Sequence, residues 1–332
     1  MTDPLTGGGQ SRAPHHTLTR VIQVVFMVAV AVVIVLLLAR SWSQVSSFDW
    51  QLRPLPLLAA TVCFIAYYAL GALLWWLILR AFGLPGKLTQ AAAVWGKSIL
   101  ARYLPGTVFM FAGRLWMSVR QGLAPEPVSA AMIYEQVLVV GGALLTAAVL
   151  FPFWEYERTV TAWSLLGVPL VLIGLHPRVF VPLAGWGLRL LHRPPLQTVM
   201  TFGNVCLLLV YTVVVWLIGG LGCWLTAAAV TDVSVAALPV ITVAFALAFV
   251  AGMVAFLVPS GIGVREGVLA AATAGVLAGG AVALAWALLL RLWLTLVELA
   301  FVAVVTVLEW ATRDPAAGDR HDHRSDGMKE TP

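Results

Sequence analysis

The chain has 332 residues, of which 61% are hydrophobic and only 11% charged. This number of charged residues is too small to cover the surface of a water-soluble protein of this size. The composition therefore excludes a soluble globular domain. The net charge of +5 comes from cations between apolar runs, where they orient a membrane protein and attract anionic lipid, and it does not indicate nucleic-acid binding. We therefore predict an all-α integral membrane protein.

Apolar runs along the chain predict about eight transmembrane helices. The first run, residues 21–39, is long enough to cross about 30 Å of hydrocarbon, and no signal-peptide cleavage site follows it. The further runs cover residues 57–79, 128–150, 159–175, 203–229, 236–257, 266–280 and 281–309. The polar tails, residues 1–19 and 311–332, are expected to be disordered in the cytoplasm. Residues 20–310 then form a single transmembrane domain.

Residues 80–127 are apolar in patches but carry six cations around Pro105-Gly106. A plain transmembrane span would not tolerate so many charges. We predict a re-entrant element near 88–118, with an amphipathic helix near 88–103, a break, and a second helix through Arg114. A basic helix over residues 176–195 is predicted to lie along the inner leaflet.

The distribution of cations predicts the orientation of the chain. If both termini are cytoplasmic, and if residues 80–127 enter and leave on that side, sixteen Lys and Arg residues are cytoplasmic and three are external. Cytoplasmic loops of membrane proteins are enriched in Lys and Arg. The sequence therefore predicts a multi-pass protein of the cytoplasmic (inner) membrane with both termini in the cytoplasm.

Pro and Gly interrupt apolar sequence next to arginine in two segments. One is residues 101–114, Ala-Arg-Tyr-Leu-Pro-Gly-Thr-Val-Phe-Met-Phe-Ala-Gly-Arg. The other is residues 257–267, Leu-Val-Pro-Ser-Gly-Ile-Gly-Val-Arg-Glu-Gly, with its break at 258–266. Broken backbone is tolerated in hydrocarbon only if it is buried in protein or lines a wet cavity. Such a pair of interrupted segments in the two halves of a chain is typical of a transporter's substrate site.

The residues of these segments favour binding of a phosphate. Arginine binds phosphate oxygens bidentately, and helix N-termini attract anions. Buried charges are rarely left unpaired, so we expect Glu135 to pair with an arginine of 102–114, and Arg291 to pair with Glu266 or Glu298. The predicted substrate-binding residues are Arg102, Arg114, Glu135, Gly261, Gly263, Arg265, Glu266 and Arg291.

The Pro-x-Gly-x-Gly-x-Arg-Glu segment, residues 259–266, resembles the membrane domain of bacterial lysylphosphatidylglycerol synthases and their stand-alone relatives. The Arg-Tyr-Leu-Pro-Gly…Gly-Arg segment (102–114), Glu135 and Arg291 match the same family, and the resemblance covers roughly residues 18–312. Gln136 and Ser260 depart from the family pattern.

The resemblance implies a flippase-like domain that moves lipid between leaflets, while a separate soluble domain transfers the amino acid. The 332 residues leave no room for that soluble domain, so we do not expect synthase activity.

Three functions are compatible with the sequence. The preferred one is a translocase for an anionic phospholipid or a polyprenyl-phosphate-linked sugar, without a cofactor or a metal. The first alternative is a membrane-embedded transferase acting on a lipid-linked donor, which needs a general base beside the phosphate. The second is a non-transporting scaffold for envelope biosynthesis. The scaffold would have no use for buried charges. A structural interpretation of the two broken segments also stays open, in which Pro105 and Pro259 only end helices at loops and each arginine extends to the membrane surface.

Overall fold

The computed structural model describes residues 46, 50, 52–101, 108–154, 166–190, 199–255, 261 and 263–312. The described residues form helices and turns and no strand. The α-helices are α1 (Pro54–Ala81), α2 (Leu88–Leu100), α3 (Val108–Arg120), α4 (Pro125–Leu150), α5 (Gly167–Leu175), α6 (Pro177–Leu190), α7 (Phe202–Val230), α8 (Leu238–Val254), α9 (Val264–Thr273) and α10 (Gly280–Ala311).

Helices α1, α4, α7, α8 and α10, with short 3-10 turns extending α4 and α8, are long and apolar enough to cross a membrane. Large apolar side chains remain exposed along their outer faces, for example Leu292, Leu296 and Val304 on α10. An apolar surface of this extent requires lipid around it. The protein is therefore helical and embedded in a membrane.

The predicted number of about eight spans is not confirmed. The described residues contain five candidate spans, or six if α5 and α6 are counted as one span bent by 70°. The predicted span 21–39 lies outside the described residues, as does the first part of 159–175. The predicted span 266–280 is instead the ten-residue helix α9 followed by turns. Ten helical residues cover about 15 Å, half of the hydrocarbon thickness.

The polar region 80–127 contains two short helices, as predicted. Helices α2 and α3 have 13 residues each, or about 20 Å, too short to span hydrocarbon singly. The Pro105-Gly106 break between them lies outside the described residues. The predicted basic helix 176–195 corresponds to α6, which is turned by 70° from α5.

Helices α1 and α7 pack against each other in antiparallel directions. The backbone N–H of Arg53 donates to the carbonyl of Ala229 over 2.8 Å, and the Arg53 side chain pairs with Asp232. Farther along, the Tyr211 hydroxyl donates to the carbonyl of Leu70 over 2.7 Å. We call the side of the bundle marked by Arg53 and Asp232 the Asp232 end.

Helix α10 runs parallel to α1 and reaches the opposite side of the bundle. The ring of Tyr68 stacks on that of Phe301, with centroids 5.9 Å apart. The last helical turn leads to Thr312, whose hydroxyl lies 3.4 Å from that of Thr89 at the start of α2. We call this side the Thr312 end.

Helix α4 runs parallel to α7 and contacts it closely. The Trp216 indole N–H donates to the carbonyl of Val139 over 3.0 Å. A Cβ on Gly142 would lie 2.3 Å from Oγ1 of Thr212, so glycine allows the two helices to approach. Small residues serve this purpose at helix contacts in membranes, where apolar burial does not drive association.

Candidate functional site

A cavity of about 360 Å³ lies where the last turn of α2, the first turns of α3 and α9, and the last turn of α8 meet the long helices α1, α4 and α7. Tyr68, which lines it, is the fifteenth of the 28 residues of α1, so the cavity is about 20 Å from either end of that helix. Its lining combines aromatic and aliphatic side chains with a few polar ones. The aromatic lining residues are Tyr67, Tyr68, Trp95, Phe111, Trp216 and Phe249.

Arg114 and Glu135 form a buried ion pair in the cavity wall, with exposed fractions of 1% and 3%. The Arg114 Nε–H also donates to Oγ of Ser98 over 2.8 Å, and the Trp95 indole N–H donates to Oε1 of Glu135 over 2.6 Å. The Arg114 guanidinium lies 4.9 Å from the ring centre of Trp75. Each charge therefore has an opposite charge and a further polar partner, as burial at this depth requires.

Arg265 reaches the same cavity from the second residue of α9. Before this helix the backbone has φ values of +65° at Gly261 and +85° at Gly263, which glycine adopts without steric cost. A Cβ on Gly261 would lie 2.7 Å from the Cα of Gly252 in α8, so the start of α9 lies directly against α8. The Arg265 guanidinium is 4.8 Å from the ring centre of Phe249, a cation–π contact.

Glu266 faces away from the main cavity toward a smaller one of about 40 Å³. Its Oε2 accepts the backbone N–H of Gly263 over 2.5 Å, which caps α9. Its Oε1 lies 3.7 Å from a guanidinium nitrogen of Arg291 on α10. Arg265 and Phe249 line both cavities, so the two are adjacent.

The structure brings most of the predicted site residues together. Arg114, Glu135, Gly261 and Arg265 line the main cavity, while Glu266 and Arg291 line the smaller one. Gly263 is the residue at the N-terminus of α9 whose backbone N–H donates to Glu266.

Both predicted pairings are present, Glu135 with Arg114 and Arg291 with Glu266. Glu298 accepts the hydroxyl of Tyr68 over 3.1 Å. Arg102 lies outside the described residues.

Several residues of the site were not predicted. Trp95 and Ser98 hold the ion pair, and Gly252 makes room for Arg265. Gly252 lies in an apolar helix whose own backbone does not require a glycine. A glycine at such a position indicates that another group approaches the helix closely, and this was the signal available in the sequence. The aromatic lining residues could not be predicted from the sequence, because aromatic side chains are common throughout apolar helices, where they pack in the core as well as line cavities.

The electrostatics of the cavity favour one anion. The described lining residues include two arginines and one glutamate, which gives a formal charge of +1. Apolar and aromatic walls with a net positive charge suit a ligand that has an anionic group and apolar portions.

No protein-family profile matches the chain, and no curated protein is significantly similar to it. The resemblance to lysylphosphatidylglycerol synthase membrane domains therefore stays a prediction.

Proposed function

We propose that the protein is a lipid translocase, which moves a lipid with a phosphate-containing headgroup between the two leaflets. The substrate is an anionic phospholipid or a polyprenyl-phosphate-linked sugar. The observation that carries the proposal is the cavity halfway along the bundle, in which the Arg265 guanidinium lies among mostly aromatic and aliphatic side chains. An arginine at this depth costs about 2.5–3.5 kcal/mol on insertion scales, a cost that substrate binding would explain.

Arg265 is the proposed phosphate ligand. Its planar guanidinium can donate two parallel hydrogen bonds to two phosphate oxygens. The contact with Phe249 and the fit over Gly252 hold the side chain against α8, toward the cavity. The buried Arg114–Glu135 pair forms another part of the wall. The proposed route carries the headgroup through the cavity while the acyl or prenyl chain remains in lipid.

The carboxylates favour transport over group transfer. A general base needs a carboxylate oxygen ready to accept a proton from the substrate. Glu135 instead accepts hydrogen bonds from Arg114 and Trp95. Glu266 caps α9 and faces Arg291. The oxygens of both carboxylates are therefore engaged by cations or donors of the protein.

We further propose that the protein lies in the inner membrane with the Thr312 end in the cytoplasm. Most cations of the described helix ends lie at that end: Arg80, Lys87, Lys97, Arg120 and Arg178. The Asp232 end has Arg53, which is paired with an aspartate. The difference in cation number follows the positive-inside rule. In this arrangement the two broken segments, 101–114 and 257–267, are re-entrant.

Reconstitution tests the proposal. Purified protein is placed in vesicles with trace amounts of labelled lipids, and the fraction of label reachable by an impermeant quencher is followed over time. The panel contains phosphatidylglycerol, phosphatidylethanolamine, a polyprenyl-phosphate sugar and a phosphate-free diacylglycerol. We expect movement of at least one lipid with net negative charge above its rate in protein-free vesicles. For diacylglycerol, whose small uncharged headgroup lets it cross the bilayer without protein, we expect the same rate with and without the protein. Equal rates with and without protein for the whole panel would refute the proposal.

A further inference from the structure

The two halves of the described chain repeat one order of helices. In each half a long helix is followed by two shorter helices with a break between them, and then by a second long helix. Of the four shorter helices, α8 is a candidate span by length together with its 3-10 turn, and we assign it to a pair of shorter helices because its last turn lies at the main cavity, halfway along the bundle. The first half consists of α1, α2, α3 and α4, with 28, 13, 13 and 26 residues. The second half consists of α7, α8, α9 and α10, with 29, 17, 10 and 32 residues.

Glycine contacts recur at corresponding places in the two halves. A Cβ on Gly71 of α1 would lie 2.8 Å from the ring of Trp95 on α2. A Cβ on Gly219 of α7 would lie 2.8 Å from the ring of Phe245 on α8. In both halves a glycine of the first long helix therefore receives an aromatic ring of the first short helix.

Ion pairs also recur at corresponding places. In the first half Arg114 of α3 pairs with Glu135 of α4, and in the second half Glu266 of α9 pairs with Arg291 of α10. Both pairs join the second short helix to the long helix that follows it. The arginine is on the short helix in the first half and on the long helix in the second half. What the two halves share is therefore an ion pair that joins these two helices, and not the order of the charges.

The first pair of short helices enters the bundle from the Thr312 end. Helix α2 begins beside Thr312, and its Lys97 bonds to Glu309 of α10 over 2.5 Å. Helix α3 returns to this end, because Gln121, just beyond it, lines a small pocket with Lys87, just before α2. We call α2 and α3 the first hairpin.

The second pair of short helices enters from the Asp232 end. Helix α8 begins there, where the Trp224 indole N–H donates to the carbonyl of Ser234 over 3.0 Å. Helix α9 returns to this end, because α10 begins seven residues after Thr273 and its Trp286 indole N–H donates to Oγ1 of Thr226 near the end of α7. We call α8 and α9 the second hairpin.

We infer that residues 54–150 and 202–311 are two structural repeats of opposite orientation, whose hairpins enter the membrane from opposite sides. The inner parts of both hairpins line the main cavity, Arg114 from the first and Arg265 from the second. The ion pairs Arg114–Glu135 and Glu266–Arg291 are equivalent positioning elements that fix each hairpin on its long helix. Combined with the proposed transport, this arrangement allows the two repeats to exchange conformations and open the one cavity to each side in turn.

Cysteine labelling of the full-length protein tests the inference without requiring transport. In a variant with Cys63, Cys206 and Cys223 replaced by alanine, single cysteines are introduced at the exposed ends of the hairpins. The positions are Lys87→Cys and Gln121→Cys for the first hairpin, and Ser234→Cys and Gly275→Cys for the second. Each variant is treated with an impermeant maleimide in right-side-out and in inverted vesicles.

We expect the cysteines at 87 and 121 to react in one vesicle orientation and those at 234 and 275 in the other. If the two ends of either hairpin react from opposite sides, that hairpin spans the membrane and the inference is refuted. If all four cysteines react from the same side, the opposite orientation of the repeats is refuted. Neither result affects the reconstitution assay, so a failure here is distinguishable from a failure of the proposed function.

Discussion

The side chain of Arg265 crosses α8 at Gly252. A Cβ at position 252 would lie 2.4 Å from Nε and 2.6 Å from Cγ of Arg265, closer than non-bonded atoms approach. The arginine can therefore follow this path into the cavity only because residue 252 has no side chain. Gly252 of the apolar helix α8 therefore determines where the side chain of the proposed phosphate ligand, Arg265, can lie.

Replacement of Gly252 by alanine is therefore expected to displace Arg265 and to reduce the transport rate about tenfold or more. The energetic reason is that hydrogen bonds to charged groups contribute about 1.5–3 kcal/mol, and each 1.4 kcal/mol corresponds to about a factor of ten. Gly267→Ala is the matched control, because a Cβ there has no atom within 4 Å. Wild-type transport by Gly252→Ala would show that the position of Arg265 does not matter.

The buried pair of Arg114 and Glu135 has a different expected role, in stability. Glu135→Ala leaves the Arg114 charge buried without its carboxylate, which typically costs about 3–5 kcal/mol. We expect a lower melting temperature in detergent, and a partial recovery in Arg114→Met/Glu135→Leu, which removes both charges. A double variant less stable than Glu135→Ala would indicate that the pair itself stabilises the fold.

The sequence predicted the composition of the site better than its geometry. Buried charges must be paired, so Glu135 and Arg291 had few possible partners, and the structure contains both predicted pairs. The contacts of Trp95 and Gly252 depend on which helices touch. Hydropathy and charge spacing hold no information on that.

The number of spans shows a similar limit. Hydropathy measures how apolar a segment is, and residues 266–280 are as apolar as a short span. The helix there ends at Thr273, and turns follow to Gly279. Alanine and glycine allow helix and turn alike in a protein interior, so composition could not distinguish a span from a half-length helix. The long helices α1, α4, α7 and α10 were predicted within a few residues of their observed bounds.

The proposed orientation predicts the location of two epitope tags. A tag inserted after Asp232 is expected on the periplasmic side, and a tag attached after Pro332 in the cytoplasm, because the Thr312 end has most of the cations. Protease digestion of spheroplasts, whose outer membrane has been opened, should remove the first tag only. Protection of both tags, or loss of both, would contradict the opposite placement of the two ends.

The lysine substitution at position 265 separates charge from geometry. An ammonium retains the charge but cannot donate the two parallel hydrogen bonds of a guanidinium. We expect Arg265→Lys to transport lipid at a rate between those of wild type and Arg265→Ala. If the lysine and alanine variants were equally impaired with unchanged melting temperatures, charge alone would contribute nothing to binding.

The transport rate of Arg265→Ala in reconstituted vesicles, compared with wild type and with Arg120→Ala, is the most direct test of the proposed function. Arg120 is exposed at the end of α3, where its guanidinium lies 4.8 Å from the ring centre of Trp116, so its removal changes the same charge outside the cavity. We expect Arg265→Ala to insert and fold but to move phosphate-containing lipid about 10–100-fold more slowly, while Arg120→Ala retains the wild-type rate. Equal transport by Arg265→Ala and wild type would contradict the assignment of Arg265 as the phosphate ligand.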